Sequence, residues 1–190
     1  MEPLQVLQTV VSTLEKLGVP SMLVGSFASS SHGFPRLTQD ADLVVQLDRN
    51  QVDGFIETFS RDFYVDRGLI EEAITKQTSF NIIHLESSFK IDFFMQHRGN
   101  YAEEEFSRRV LKQVDPRRDF AAYVQTAEDA LLSKLAWYRQ GGEVSENQWR
   151  DVIGILKVQA DRLDGGYLQK WAEELGISDL WLRARLEAAG

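Results

Sequence analysis

Three aspartates stand where an aspartate is costly to keep. Asp40 and Asp42 flank Ala41 at the head of an apolar run, Leu43-Val44-Val45. Side chains two positions apart on a strand point to the same face, so the two carboxylates project together. Held that close, they repel each other and lose hydration unless a cation or basic groups offset the cost. A divalent metal does so directly. The third acid, Asp92, lies in the otherwise apolar stretch Lys90-Ile91-Asp92-Phe93-Phe94. A buried acid there needs an ion pair, with Lys90, Arg36 or Lys134 as available bases, or a bound metal. Beside Asp40 and Asp42 the functional reading is favoured, because strained acids cluster at sites. Three acids can hold two magnesium ions, which take oxygen ligands and keep several waters.

These acids need elements to position them. Ser21–Val24 reads as a short buried strand, and Gly25-Ser26 then opens a helix running to His32. Free backbone N–H groups at such a start favour phosphate. Gly33-Phe34-Pro35-Arg36 must turn, since proline disfavours helix in the residue before it. A phosphate cradle followed by a metal-holding Asp-x-Asp is the layout of a nucleotide-transferring site. Ser29, Ser30 and Ser31 are expected to let this helix approach a sheet closely.

Around that centre, residues 3–17 carry Leu4, Leu7, Val10 or Val11, Leu14 and Leu17 at helical spacing, with Pro3 in the first turn and Gly18 at the stop. Asp48 or Asn50 is placed to cap a helix over 51–60. A short strand near 63–66 and a helix over 69–75 follow. Residues 79–85 and 89–95 read as a hairpin joined by Glu86-Ser87-Ser88. Next come a short helix over 102–106 and strands at 109–114 and 121–124. From Thr126 the chain turns helical. Thr126 with Asp129 and Ser145 with Gln148 resemble capping boxes, opening helices over 127–139 and up to 160. Shorter helices are expected over 167–175 and 179–188. The spacing therefore predicts a mixed part, 1–125, and a C-terminal helical lobe, 126–190. Trp137, Trp149, Trp171 and Trp181 all fall in that lobe, where core packing is the expectation for each.

The chain has 190 residues, 43% hydrophobic and 26% charged, with material for a real core. The apolar runs are too short to span a bilayer, and the N-terminus lacks a signal-peptide pattern. The absence of cysteine removes disulfides, thiolate nucleophiles and zinc–thiolate sites, and fits a cytoplasmic enzyme. His32, His84 and His97 match no metal-ligand spacing. A net charge of −8 gives no general attraction for nucleic acid. The one basic cluster, Arg108-Arg109 and Lys112 with Arg117-Arg118, is expected to be a solvated sheet edge.

Gly25-Ser26, the Pro35-Arg36-x-Thr38-x-Asp40-x-Asp42 phrase and Asp92 resemble the nucleotidyltransferase superfamily typified by DNA polymerase beta and kanamycin nucleotidyltransferase. A helix bearing Lys134, followed by Arg150-Asp151, makes the chain similar to small bacterial nucleotidyltransferase-like proteins, including AbiEii-type toxins of toxin–antitoxin pairs. The likeness spans roughly residues 20 to 155. It implies an α+β fold: a mixed sheet of four to six strands with helices on one face, and a helical lobe closing over the site. It implies a Mg2+-dependent enzyme using a nucleoside triphosphate (ATP among the candidates). Asp40, Asp42 and Asp92 would be the metal ligands and catalytic acids, Gly25 and Ser26 the phosphate contacts. Arg36 and Lys134 would neutralise phosphate charge, unless Arg36 pairs with an acid and Lys134 lies on a solvated helix face. Asp151 reads as surface. The acceptor is a small molecule, a tRNA end or a protein hydroxyl, and a cognate antitoxin is an implied partner. The alternatives are a catalytically silent chain of the same fold working as a binding partner, and a phosphohydrolase in which water replaces the acceptor.

Overall fold

The computed structural model describes residues 2–34 and 40–190. Pro35, Arg36 and Thr38, which carry part of the resemblance, lie outside the described residues. Two compact units emerge: Met1–Val24 with Thr38–Val124, and Gly25–Leu37 with Gln125–Gly190.

The first unit is built on a mixed sheet. Its strands are β1 (Ser21–Val24), β2 (Asp40–Val45), β3 (Phe63–Tyr64), β4 (Ser79–His84), β5 (Lys90–Met95), β6 (Val110–Asp115) and β7 (Phe120–Val124). They run in the order β3-β4-β5-β2-β1-β7-β6. β2 pairs parallel with β5 and β1 parallel with β7, while the other neighbours are antiparallel. Among the described residues the sheet thus holds seven strands rather than four to six. Every segment with strand character joins it, down to the two residues of β3, because each finds a hydrogen-bonding neighbour.

Four helices accompany the sheet among the described residues: α1 (Pro3–Lys16), α3 (Val52–Phe59), α4 (Arg67–Lys76) and α5 (Asn100–Ser107). α1 buries Val6, Leu7, Val10, Val11 and Leu14 on one stripe, with Glu2 and Gln5 capping its start reciprocally. Asp48 caps a single 3-10 turn, Arg49–Gln51, that leads into α3. From α3, Phe55 meets Phe59 at 4.5 Å, Phe80 at 5.7 Å and Phe93 at 5.6 Å between ring centroids. Phe80 and Phe93 stack at 4.9 Å across the β4–β5 pair. This aromatic cluster anchors one sheet face and helps fix the strand register, since a one-residue slip of β4 or β5 would turn Phe80 or Phe93 away from α3. β6 is an edge, with Leu111 exposed and an irregularity between Gln113 and Asp115 that interrupts its ladder.

The second unit comprises α2 (Gly25–His32), α6 (Ala127–Gln140), α7 (Glu146–Gln159), α8 (Gly165–Glu174) and α9 (Ser178–Ala189). Thr126 and Ser145 cap α6 and α7, accepting the N–H groups of Asp129 and Gln148. Trp171 and Trp181 are buried, but Trp137 is 55% exposed, so core packing does not hold for all four tryptophans. Trp137 lies in the last turn of α6, where Leu131, Leu132 and Leu135 already fill the buried stripe. Among the described residues, no helix is long and apolar enough to cross a membrane.

Candidate active site

The alternation along β2 sorts the acids from the core. Ala41, Leu43 and Val45 are buried on one face, while Asp40, Asp42 and Val44 are half-buried on the other. β5 repeats this: Ile91, Phe93 and Met95 are buried, Lys90, Asp92 and Phe94 are not. The parallel register puts Asp42 directly opposite Asp92, and Asp40 opposite Lys90. Neighbouring strands lie about 4.8 Å apart, so Asp42 and Asp92 stand side by side on the half-open face, with Asp40 two positions back. Asn81 of β4 pairs with Asp92 on its other side, and Val24 of β1 pairs with Asp42. One row across four strands therefore reads Val24, Asp42, Asp92, Asn81.

Lys90 is the base that meets Asp92, its Nζ 2.7 Å from Oδ2. Its side chain is 42% exposed and that of Asp92 19%. The hydrogen bond to Asp92 holds the Lys90 ammonium above the usual lysine range. Partial burial opposes this, and the attraction of Asp92, Asp40 and Asp42 adds to it. Among the described residues, no three His, Asp or Glu side chains already converge as a metal cage. The donors themselves suit a hard divalent ion, being carboxylate oxygens on adjacent rigid strands that face away from the core.

The second unit holds Gly25, Ser26 and Lys134. Gly25 has φ +61°, a conformation that favours glycine, and it turns the chain from β1 directly into α2. Ser26 accepts through its carbonyl a hydrogen bond from Ser29 Oγ at 3.2 Å. Ser29 is buried, and its Oγ also donates to Asp151 Oδ2 at 3.2 Å. Lys134 Nζ lies 3.0 Å from the same oxygen. Lys134 is thus buried and ion-paired, not on a solvated helix face, and Asp151 is buried, not surface. The physical reason is mutual: each charge makes the other's burial tolerable, and Ser29 satisfies a further lone pair. Sequence reasoning missed Ser29 and Asp151 as partners of Lys134. The Arg150-Asp151 phrase was the available signal, with the exposed Arg150 the less informative half.

His32 ends α2, and it is also buried, its Nε2 2.7 Å from the Gln125 carbonyl oxygen. The Gln159 amide donates to the His32 carbonyl at 2.6 Å. Gly33 follows so close to α7 that a Cβ there would come within 2.9 Å of the Ile155 nitrogen. α2 is therefore held at mid-length by Ser29 and at its end by His32.

No family model matches the chain, and no curated protein does. Solved structures do. An antigenic nucleotidyltransferase-like protein from Paracoccidioides brasiliensis superposes with a TM-score of 0.56 at 17% identity, covering 98% of this chain and 93% of that one. The antibiotic-resistance factor ANT(2'')-Ia does so with a TM-score of 0.52 at 12% identity, covering 100% and 96%. Likeness of that extent at so low an identity is a likeness of fold, and it runs the length of both chains. The α+β architecture of this chain, a mixed sheet with a helical C-terminal part, is that of nucleotidyltransferase-like proteins.

Proposed function

We propose that this chain is a metal-dependent nucleotidyltransferase that moves a nucleoside monophosphate from a nucleoside triphosphate to an acceptor hydroxyl. The observation that carries the reading is the register of β2 on β5. It sets Asp42 beside Asp92, with Asp40 on the same half-open face. Three acids on one face of two neighbouring strands have no role in packing the core, which lies on the other face.

Asp40, Asp42 and Asp92 would hold magnesium. When bound, magnesium supplies charge neutralisation for the triphosphate and acidifies the acceptor hydroxyl. Asp92 takes the hydroxyl proton as general base. The acceptor oxygen forms a bond to the α-phosphorus as the bond from that phosphorus to the bridging oxygen breaks, and pyrophosphate leaves with the electron pair. Gly25 and Ser26 present backbone N–H groups to phosphate. Arg36 and Lys134 are the bases assigned to its remaining charge. Lys134 does so with an ammonium steadied by Asp151 and with two further donors to offer.

Thermal unfolding with each nucleoside triphosphate, with and without magnesium, tests this without knowledge of the acceptor. Ligand at about 100 times its dissociation constant adds roughly 2.7 kcal/mol. For a chain of this size that is a rise on the order of 5 to 10 °C. Asp42→Asn should lose the magnesium-dependent rise while keeping the fold. If that variant gained as much as wild type, the assigned site would be wrong; if no triphosphate moved wild type, the chain would be a silent fold. Product analysis then separates transfer, which leaves nucleotide on an acceptor, from hydrolysis, which leaves free monophosphate.

A further inference from the structure

Lys90 is the single lysine or arginine in β2, β4 and β5, the three strands that carry the acids and Asn81. It leaves β5 opposite Asp40 and reaches along the same face to Asp92, two positions on. A tethered ammonium therefore already sits among the carboxylates, on an oxygen that the transfer reading assigns to metal. We propose that Lys90 is a resident counter-cation on this face, holding Asp92 in the metal-free chain and giving it up to a divalent ion. Resting on the nucleotidyltransfer reading, this makes metal binding an exchange of one cation for another rather than the filling of an empty cage. Lys90 is then a positioning residue that acts through Asp92 and sets how tightly the ion is held.

Two roles for Lys90 predict opposite signs. As a competing cation, its removal tightens metal binding, because the ion no longer meets a positive charge at Asp92. As a brace that merely keeps Asp92 in a ligating pose, its removal weakens metal binding. The measurement is a Mn2+ titration of the full chain without nucleotide, with free Mn2+ followed by its EPR signal. Wild type is compared with Lys90→Met, Lys90→Arg and Asp42→Asn. Lys90→Met is expected to bind Mn2+ about tenfold more tightly, the change that accompanies loss of a neighbouring charge worth about one pKa unit. Lys90→Arg, which keeps the charge, should stay close to wild type. Lys90→Gln repeats the gain in a polar side chain, should the methionine variant fold poorly.

Binding by Lys90→Met and Lys90→Gln that is unchanged or weaker overturns the exchange. The transfer reading would survive that result, provided Asp42→Asn still loses Mn2+. Absence of Mn2+ binding in wild type and in both charge-removing variants overturns the exchange together with the transfer reading. Binding that appears only in the charge-removing variants supports the exchange.

Discussion

The buried pair between Lys134 and Asp151 gives the sharpest energetic prediction. The two side chains are 11% and 6% exposed, so solvent screens them little. Removing one partner of such a pair leaves a buried charge uncompensated, at a cost of about 3–5 kcal/mol. Lys134→Met falls at the low end, about 3 kcal/mol, because the Ser29 hydroxyl still donates to Asp151. Asp151→Asn keeps an acceptor for Ser29 and Lys134 but not the charge, and costs about 2–3 kcal/mol. At about 2–4 °C per kcal/mol for a chain of this size, these variants should melt roughly 4–12 °C below wild type. The double variant Lys134→Met/Asp151→Leu buries no charge. Its residual loss, about 1 kcal/mol, is that of the Ser29–Asp151 hydrogen bond, since Ser29 keeps the Ser26 carbonyl as acceptor. The cycle closed by the single Asp151→Leu, which strands the Lys134 ammonium, should therefore show a coupling of several kcal/mol, measured by urea unfolding followed by circular dichroism. Single variants within about 1 kcal/mol of wild type, with additive effects, would refute the claim that this pair is desolvated.

Gly33→Ala places a Cβ 2.9 Å from the Ile155 nitrogen and 3.0 Å from the Gly154 carbonyl carbon, both backbone atoms, and should cost about 1–3 kcal/mol in urea unfolding. Gly54→Ala in α3 is the matched contrast: its Cβ meets only Leu17 Cδ2 at 3.5 Å, so it should stabilise by about 0.5–1 kcal/mol. Arg139 donates to both oxygens of Asp179 at 2.6 and 2.7 Å and holds that carboxyl below the usual carboxylate range. A depressed folded-state pKa stabilises above the unfolded value and is lost as pH falls through the folded one. Asp179→Asn should accordingly melt below wild type at pH 7 and converge with it in acid, once wild-type Asp179 is protonated. Melting curves from pH 7 downward check this.

Local features of the fold were legible in the sequence. The stripe on α1, the caps at Thr126 and Ser145 and the hairpin of β4 and β5 each rest on residues a few positions apart, where periodicity and capping chemistry act. The half-open face of Asp40 and Asp42 followed from the period of a strand, and Lys90 stood among the bases available to Asp92. What the sequence could not supply was which distant strands would be neighbours. The parallel pairing of β2 with β5 brings Asp42 beside Asp92, and no local pattern encodes that register. Asp151 was misread as surface for the same reason, since its partners Ser29 and Lys134 lie 122 and 17 positions away. Trp137 failed in the other direction: an aromatic residue at the end of a helix looks like core until neighbouring leucines have taken the buried stripe.

The bonds that hold α2 have a consequence in time. Ser29 waits for Asp151, 122 residues later, and His32 for Gln125 and Gln159, 93 and 127 residues later. β1 likewise finds its parallel neighbour only when Val124 has been made. At synthesis rates of about 5–20 residues per second, Ser29 is made roughly 6 to 24 seconds before Asp151. The segment from Ser21 to His32 thus leaves the ribosome well before its partners and settles only after they follow. Ala28, Ser29 and His32, all buried in the finished chain, spend that interval exposed. A nascent chain stalled before Asp151 would present them to chaperones and proteases, so the helices of residues 127–159 govern the survival of α2.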